Sequence, residues 1–214
     1  MSSRTNTEIS YLAADFSIDA IDNGNWAIAT EVLVDRYWSG EKAPVGRQFN
    51  VRLLWSDTAL YIYFEANQAE TLVVSERANR SSKTDGLWER DVCEIFVAPD
   101  RTSPRGYFEF EIAPNGEWLD LAIDLTDSER KTDWKYRSGM QSCARIEETM
   151  VRMAAKIDWK AFGLAPKAGD VWLGNLFRCV GKDPNRGYLA WSPTGTELPN
   201  FHVPDKFGEF KFIR

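Results

Sequence analysis

The chain of 214 residues has few of the residues on which most catalytic and metal sites are built. It contains a single histidine, His202, and three cysteines, Cys93, Cys143 and Cys179, without the paired spacing of a zinc site. It also lacks a glycine-rich phosphate loop, a GxSxG nucleophile elbow and an HExxH motif. No serine or cysteine lies beside His202 in an activating context, so a catalytic triad has little support. The sequence therefore predicts a protein that is not an enzyme.

The chain also has no excess of basic residues. Lys and Arg number 26 against 32 Asp and Glu, which gives a formal charge of −6, and the cationic residues are dispersed. This balance excludes nucleic acid and an anionic membrane as the main partner. The sequence has no apolar run long enough to span a bilayer, and its beginning lacks a signal-peptide pattern. We therefore expect a cytoplasmic protein, or a secreted one if a signal was trimmed.

Short runs rich in β-branched and aromatic residues, each bounded by turn residues, dominate the chain and are typical of β-strands. They predict strands at Phe49–Trp55, Leu60–Ala66, Val92–Val97, Tyr107–Ile112, Trp118–Leu125, Thr149–Ile157, Val171–Val180, Tyr188–Trp191 and Glu209–Ile213. The Asn-Gly pair within residues 114–117 predicts a hairpin, and Asp158–Leu164 is predicted to form one or two helical turns. We expect an all-β fold, an antiparallel two-sheet β-sandwich with one short helix, forming a single domain over residues 1–214.

Side-chain alternation assigns a face to each residue of a predicted strand. Glu109 and Glu111 point to the side opposite Phe110, and Asp120 and Asp124 point to the side opposite the leucines of their own strand. This pattern predicts an outer sheet surface of carboxylates with aromatic rings among them, which would suit a polyhydroxyl ligand.

Aromatic residues are abundant, with nine Trp, twelve Phe and seven Tyr, so some of them are candidates for a binding surface. Trp88 precedes the charged run 89–91, which is a poor position for a core residue. Glu94 lies inside an apolar strand, where a carboxylate needs a hydrogen-bonding partner. A ring beside a carboxylate suits a pyranose, whose C–H face stacks on the ring while its hydroxyls bond to the acid. The alternative is that Glu94 forms a structural ion pair with Arg178.

An ordered set of segments resembles the carbohydrate-binding module family 9 over nearly the whole chain. The segments are LWERDVCEIF at 87–96, YFEFEIAPNGEWLD at 107–120, MAAKIDW at 153–159, WLGNLFRC at 172–179, AWSPTG at 190–195 and PNFHVPDKFGEFKFI at 199–213. The resemblance implies a β-sandwich related to the DOMON superfamily. Such a domain binds a terminal, often reducing-end, sugar between two aromatic rings, sometimes with structural calcium. Non-catalytic binding of a mono- or oligosaccharide is therefore the expected function.

The resemblance also implies roles for individual residues. Trp88 matches the first stacking ring of the family, Glu94 the sugar-binding carboxylate and Phe201 the second stacking ring, which is tryptophan in xylanase-linked modules. Where those modules carry an arginine in the strand after the motif, this chain has Glu111, which reverses the charge there. His202, next to Phe201, is expected to hydrogen-bond to sugar or to backbone. Arg178, Glu109 and Glu111 are further candidates for polar contacts with the sugar.

Two other functions stay open at this point. A glycoside hydrolase would use Glu94 with Glu109 or Glu111 as its pair of acids. A haem-binding domain of the DOMON type would need an axial Met and His, for which Met150, Met153 and His202 are the candidates. No cofactor is certain, and structural calcium stays open. Acidic clusters near Asp15–Asn23 and Asp120–Asp127 lack the spacing of an EF-hand loop and are more typical of solvated turns.

Overall fold

The computed structural model describes residues 4–214, and almost all of its regular structure is β-strand. The strands are β1 Asn6–Tyr11, β2 Glu31–Val34, β3 Phe49–Trp55, β4 Ala59–Asn67, β5 Val92–Ala98, β6 Gly106–Ile112, β7 Trp118–Leu125, β8 Arg130–Asp133, β9 Gln141–Ile146, β10 Met150–Asp158, β11 Val171–Val180, β12 Gly187–Ala190 and β13 Gly208–Ile213. Short 3-10 helical turns lie between them at Gly24–Ile28, Val45–Arg47, Leu87–Glu89, Trp159–Ala161 and Pro204–Lys206.

The strands form one continuous hydrogen-bonded path that curls on itself, so that its two halves pack as a sandwich. One half has the order β8-β7-β6-β5-β11, with β12 paired to β11. The other half has the order β1-β3-β4-β10-β9, with β2 paired to β3. Strand β13 joins the halves, because it pairs with β11 on one side and with β1 on the other. Most pairs are antiparallel, but β1 runs parallel to both β13 and β3.

The main apolar core lies between the two halves and draws on the inward faces of both. Val51 and Leu53 of β3 and Phe64 of β4 meet Val97 of β5 and Leu176 of β11 there. Each half also has a packed outer face, since a strand buried on both sides presents two sets of apolar residues. Tyr61 and Tyr63 of β4 are covered by a cluster that includes Leu12, Ile18 and Trp26. The outer face of β5, β6, β7 and β11 carries the candidate site.

The sequence predictions for the strands are confirmed, with each strand end within one residue of its expected position. The hairpin predicted around the Asn-Gly pair is also present, with Ile112 opposite Trp118. Gly116 adopts a φ of 86°, a left-handed conformation that glycine reaches without the steric cost of a side chain. Within residues 4–214 there is no α-helix, and the helix predicted at Asp158–Leu164 is a single 3-10 turn at Trp159–Ala161.

The predicted outer surface of carboxylates is wrong, because the strand register separates its members. Glu109 pairs with Leu121 and Glu111 with Leu119, so both glutamates share a face with the leucines of β7. Asp120 pairs with Phe110 on the opposite face and is fully buried. Glu109 and Glu111 are themselves buried, at 3% and 0% exposed. The acids are therefore interior groups rather than a solvated surface.

The described part of the chain, residues 4–214, contains no helix long and apolar enough to cross a bilayer.

Candidate functional site

A cavity of about 310 Å³ lies on the outer face of β5, β6, β7 and β11. Strand β8 and the loop around residues 199–202 complete its walls. The polar and aromatic residues that line it include Trp88, Glu94, Glu109, Arg130, Thr132, Trp134, Tyr188, Asn200, Phe201 and His202. The structure thus brings Trp88, Glu94, Glu109, Phe201 and His202, which are far apart in the sequence, to one cavity.

Two tryptophans form the exposed wall of this cavity. Trp88 is 36% exposed and Trp134 is 45% exposed, and their ring centroids are 6.2 Å apart at an angle of 47°. Trp88 belongs to the 3-10 turn Leu87–Glu89, which is anchored by the fully buried Leu87. The guanidinium of Arg186 donates to the backbone carbonyls of Trp88, Glu89 and Arg90. Trp88 therefore stands on a fixed backbone while its ring stays open to solvent.

Phe201 lines the cavity from the other side but is largely covered. Its ring stacks on Phe177 with centroids 4.0 Å apart and an angle of 11°, and it contacts the edge of Tyr188 at 6.2 Å. Only 9% of Phe201 is exposed. A stacking ring open to solvent was expected at this position, and the structure shows instead a ring with one face packed into the core.

His202 hydrogen-bonds through Nδ1 to the hydroxyl of Tyr107 at 2.7 Å. The same nitrogen lies 4.0 Å from Oε2 of Glu109. Burial, with a smaller contribution from Arg130, lowers the pKa of His202 to about 3. The imidazole is therefore neutral at physiological pH, and it takes part in hydrogen bonds rather than in ion pairs.

Three carboxylates form the floor of the cavity. Glu94 on β5 pairs directly with Glu111 on β6, and Glu109 follows on the same face of β6. Oxygens of all three lie within 4.8 Å of one another. Burial raises the pKa of each carboxyl, and neighbouring carboxylates add to the rise at Glu94 and Glu111. Oε2 of Glu109 and both oxygens of Glu111 have no hydrogen-bond partner.

Arg178 is not brought to the cavity. On β11 it pairs opposite Cys93, whereas Glu94 pairs opposite Phe177, so Arg178 and Glu94 point to different faces of the sheet. Its guanidinium donates to the carbonyls of Arg47 and Asn67, both at 2.7 Å, and to the side chain of Gln68. The alternative of a Glu94–Arg178 ion pair therefore fails, and so does a direct contact of Arg178 with a ligand in the cavity.

Trp134 and Arg130 are among the cavity residues that the sequence interpretation missed, together with Thr132, Tyr188 and Asn200. Trp134 and Arg130 belong to the segment that contains β8, a short polar strand with no apolar alternation to indicate it. Trp134 nevertheless lies between Asp133 and Lys135, which is the same charged context that singled out Trp88. That criterion selects Trp134, but it also selects Trp159, which lies between Asp158 and Lys160 and is only 6% exposed.

The geometry also bears on the two alternative functions. The oxygens of Glu94, Glu109 and Glu111 are within 4.8 Å of one another, which is shorter than the about 6.5–9.5 Å of inverting glycosidases and close to the about 5–5.5 Å of retaining ones. All three acids, however, lie on one face of neighbouring strands, whereas a glycosidase places its two acids on either side of the scissile bond. For haem, Met153 packs in the core between the layers, while His202 lines the outer cavity. Met153 and His202 therefore do not face a common cofactor site.

A family model described as carbohydrate-binding family 9 matches residues 30–212. The chain belongs to carbohydrate-binding family 9. This membership gives carbohydrate binding as its function.

Individual relatives of this family 9 chain are distant in sequence. A protein of the fungus Arthroderma benhamiae, described as an extracellular protein, is 24% identical over 183 residues, which cover 78% of this chain and 79% of the relative. A crystal structure from Bacteroides uniformis superposes with a TM-score of 0.76 at 19% identity and covers 99% of this chain and 100% of that one.

Two solved structures of a family 9 module from Caldicellulosiruptor kristjanssonii also match. The module in complex with cellotriose has a TM-score of 0.67 at 15% identity, covering 98% of this chain and 94% of that chain. The module in complex with glucose has a TM-score of 0.67 at 16% identity, covering 97% and 95%. At these identities the superpositions establish a shared fold.

Proposed function

We propose that the cavity walled by Trp88 and Trp134 binds one terminal sugar unit without cleaving it. The observation that carries this proposal is the pair of partly exposed indole rings above a floor of buried carboxylates. An indole face matches the C–H face of a pyranose, while the acids and His202 match its hydroxyls.

The distance between the two tryptophans determines where the sugar can stack. Their centroids are 6.2 Å apart, which is within ordinary aromatic contact, so no sugar ring fits between them. The sugar must instead lie against the side of the pair that faces the cavity. Phe201 offers its edge and its one uncovered face from the opposite wall, which makes it a minor stacking partner.

The polar groups in the cavity suit a neutral ligand. His202 is neutral, and the raised pKa values of Glu94 and Glu109 reduce their charge, so either acid can accept or donate a hydrogen bond. Arg130 adds a cationic donor at the rim. A sugar hydroxyl, which both donates and accepts, can satisfy such a mixed set.

The size of the cavity favours a single sugar unit over an extended chain. Its volume of about 310 Å³ is at the lower end of the range of about 300–1,000 Å³ that small-molecule sites occupy. The family 9 structures with glucose and cellotriose support glucose and its β-linked oligomers as first candidates. A terminal unit would enter the cavity while the rest of the oligosaccharide stays outside.

The absence of hydrolysis is part of the proposal. It is supported by the close spacing of the three acids on one floor, which leaves no second acid on the far side of a sugar. Incubation with cellotriose should release no new reducing ends, and release that is abolished by Glu94→Gln would contradict the proposal.

The cytoplasmic location expected from the sequence stays a prediction. The description of the fungal relative as an extracellular protein supports the alternative that this domain acts outside the cell.

Isothermal titration calorimetry with glucose, galactose, xylose, cellobiose and cellotriose tests the binding proposal. We expect weak exothermic binding of at least one of these sugars, because shallow sugar sites exchange ordered water for similar hydrogen bonds. Trp88→Ala should weaken this binding several-fold while the far-UV circular dichroism stays unchanged. Equal heats for the wild type and the folded variant would place the sugar elsewhere on the protein.

A further inference from the structure

The structure has a second depression, an open groove of about 720 Å³, which is more than twice the volume of the cavity. The loop between β2 and β3, the segment after β4 and the turn between β11 and β12 form its walls. Its polar and aromatic lining includes Tyr37, Trp38, Glu41, Arg47, Glu70 and Arg186. None of these residues lines the cavity, so the groove is a separate surface.

Two side chains, Tyr188 and Arg186, separate the groove from the cavity. Tyr188 lines the cavity, and its ring meets the ring of Trp38 at a centroid distance of 6.0 Å and an angle of 90°. The guanidinium of Arg186 lies 5.4 Å from the centroid of the Tyr188 ring and donates to the carbonyls of residues 88–90. The groove therefore begins at the turn that carries Trp88, one aromatic side chain away from the cavity.

The charged groups of the groove balance one another. Arg47 donates to Glu70 through Nε and, at 2.9 Å, through Nη2, so these two side chains neutralise each other. The guanidinium of Arg186 is engaged by backbone carbonyls, and the exposed carboxylate of Glu41 has no ion-pair partner within residues 4–214. Two acids and two cations thus line the groove, which favours a neutral ligand over a phosphate or a uronic acid.

The groove also offers the mixed contacts that a neutral sugar needs. The half-buried Trp38 donates its indole N–H to the carbonyl of Thr196 at 3.1 Å, which fixes the ring. The hydroxyl of Tyr37 accepts from Arg47 at 3.1 Å and keeps its own proton for a further acceptor. The carboxylate of Glu41 can accept from sugar hydroxyls. An aromatic ring, a hydroxyl donor and a carboxylate acceptor therefore lie along one groove.

We propose that this groove binds the sugar units that follow the terminal unit, so that the preferred ligand is a neutral oligosaccharide of at least three units. The inference rests on the terminal-unit site proposed above and extends that site past Tyr188. If a cavity of about 310 Å³ accommodates one unit, a groove of about 720 Å³ has space for two. The linkage between the first and second units would then cross Tyr188.

Calorimetric titration with glucose, cellobiose and cellotriose measures what each added unit contributes. A net hydrogen bond of about 1 kcal/mol strengthens binding by about fivefold, so two added units with one such bond each should make cellotriose bind about 25-fold more tightly than glucose. Glu41→Ala should weaken cellotriose binding by about fivefold. It should leave glucose binding unchanged, because glucose occupies only the cavity.

Glu148→Ala is the matched control. Glu148 is an exposed acid in the turn between β9 and β10, outside both the cavity and the groove, so its removal should leave the affinity for all three sugars unchanged. Trp38→Ala is a second groove variant and should also weaken the binding of cellotriose but not of glucose. If it does not fold, as judged by circular dichroism, Tyr37→Phe takes its place.

Equal affinities of the wild type for glucose and cellotriose overturn the proposal. A gain with chain length that persists in full in both folded groove variants overturns it as well. In either case, glucose binding that Trp88→Ala weakens would still support the terminal-unit site. Binding of none of the three sugars would overturn both proposals, so the two failures are distinguishable.

Discussion

Replacing Trp134 tests whether the indole pair is the stacking surface. Trp134 is 45% exposed, and since a buried Trp covers up to about 250 Å², roughly 110 Å² of it is open to a ligand. A sugar on one face would cover about half of that area, or about 55 Å². At about 25 cal/mol per Å² this contact contributes about 1.4 kcal/mol, so Trp134→Ala should weaken sugar binding by about tenfold.

The same reasoning gives a smaller effect for Trp88→Ala. Its exposure of 36% leaves about 45 Å² for one sugar face, which corresponds to about 1.1 kcal/mol, or about a sixfold loss. The assay is calorimetric titration with the tightest-binding sugar, with urea unfolding as a check on stability. Leu164→Ala, an exposed apolar residue outside the cavity lining, is the control. Wild-type affinity in a folded Trp134→Ala variant would refute the reasoning.

Three further predictions follow from buried groups. Phe201→Ala should lower the free energy of unfolding by about 3 kcal/mol in urea titration, because a packed ring is lost from the core; a change below about 1 kcal/mol would contradict its packed position. Burial and the neighbouring carboxylates raise the pKa of Glu111, so stability should fall as pH rises above about 4.5, and Glu111→Gln should flatten this slope in thermal melts. The lowered pKa of His202 has the opposite effect, so stability should also fall as pH drops from about 6.5 toward 3. Asp120→Asn, which breaks a buried ion pair, should cost about 3 kcal/mol of stability, while the exposed Asp124→Asn should change little; equal melting temperatures for the two would refute the difference.

The strands that the sequence predicted correctly are those whose residues are buried. β3, β7 and β11 are continuous apolar or alternating runs, and their bounds match the prediction at both ends. Four strands were not predicted, and few of their residues are buried. β8 is RKTD, β1 is NTEISY with two buried residues, β9 is QSCARI with none, and β2 is the four-residue run EVLV with two. Such strands form because a neighbouring strand supplies backbone hydrogen bonds. The residues of the strand itself do not show that this neighbour is present.

The candidate site was predictable in its composition but less so in its geometry. Trp88 in a charged run and Glu94 in an apolar strand both indicate the cavity from the sequence alone. The exclusion of Arg178 depended on register, since a shift of one residue moves a side chain to the other face of a sheet. The burial of Phe201 depended on Phe177, a partner on a distant strand. Sequence alone does not determine either relationship.

The central position of β13 has a consequence for how the protein is made. Its pairing with β1 places Asn6 beside Glu209, so the two halves are joined by strands about 200 residues apart in the sequence. During synthesis β1 is made long before β13, its partner. Until β13 is made, one edge of β1 is unpaired and can associate with other chains. Closing so long a loop is also slow, since its entropy is lost before the contacts form. A ribosome-bound fragment without residues 208–213 therefore cannot complete the sandwich, however well its own strands pair.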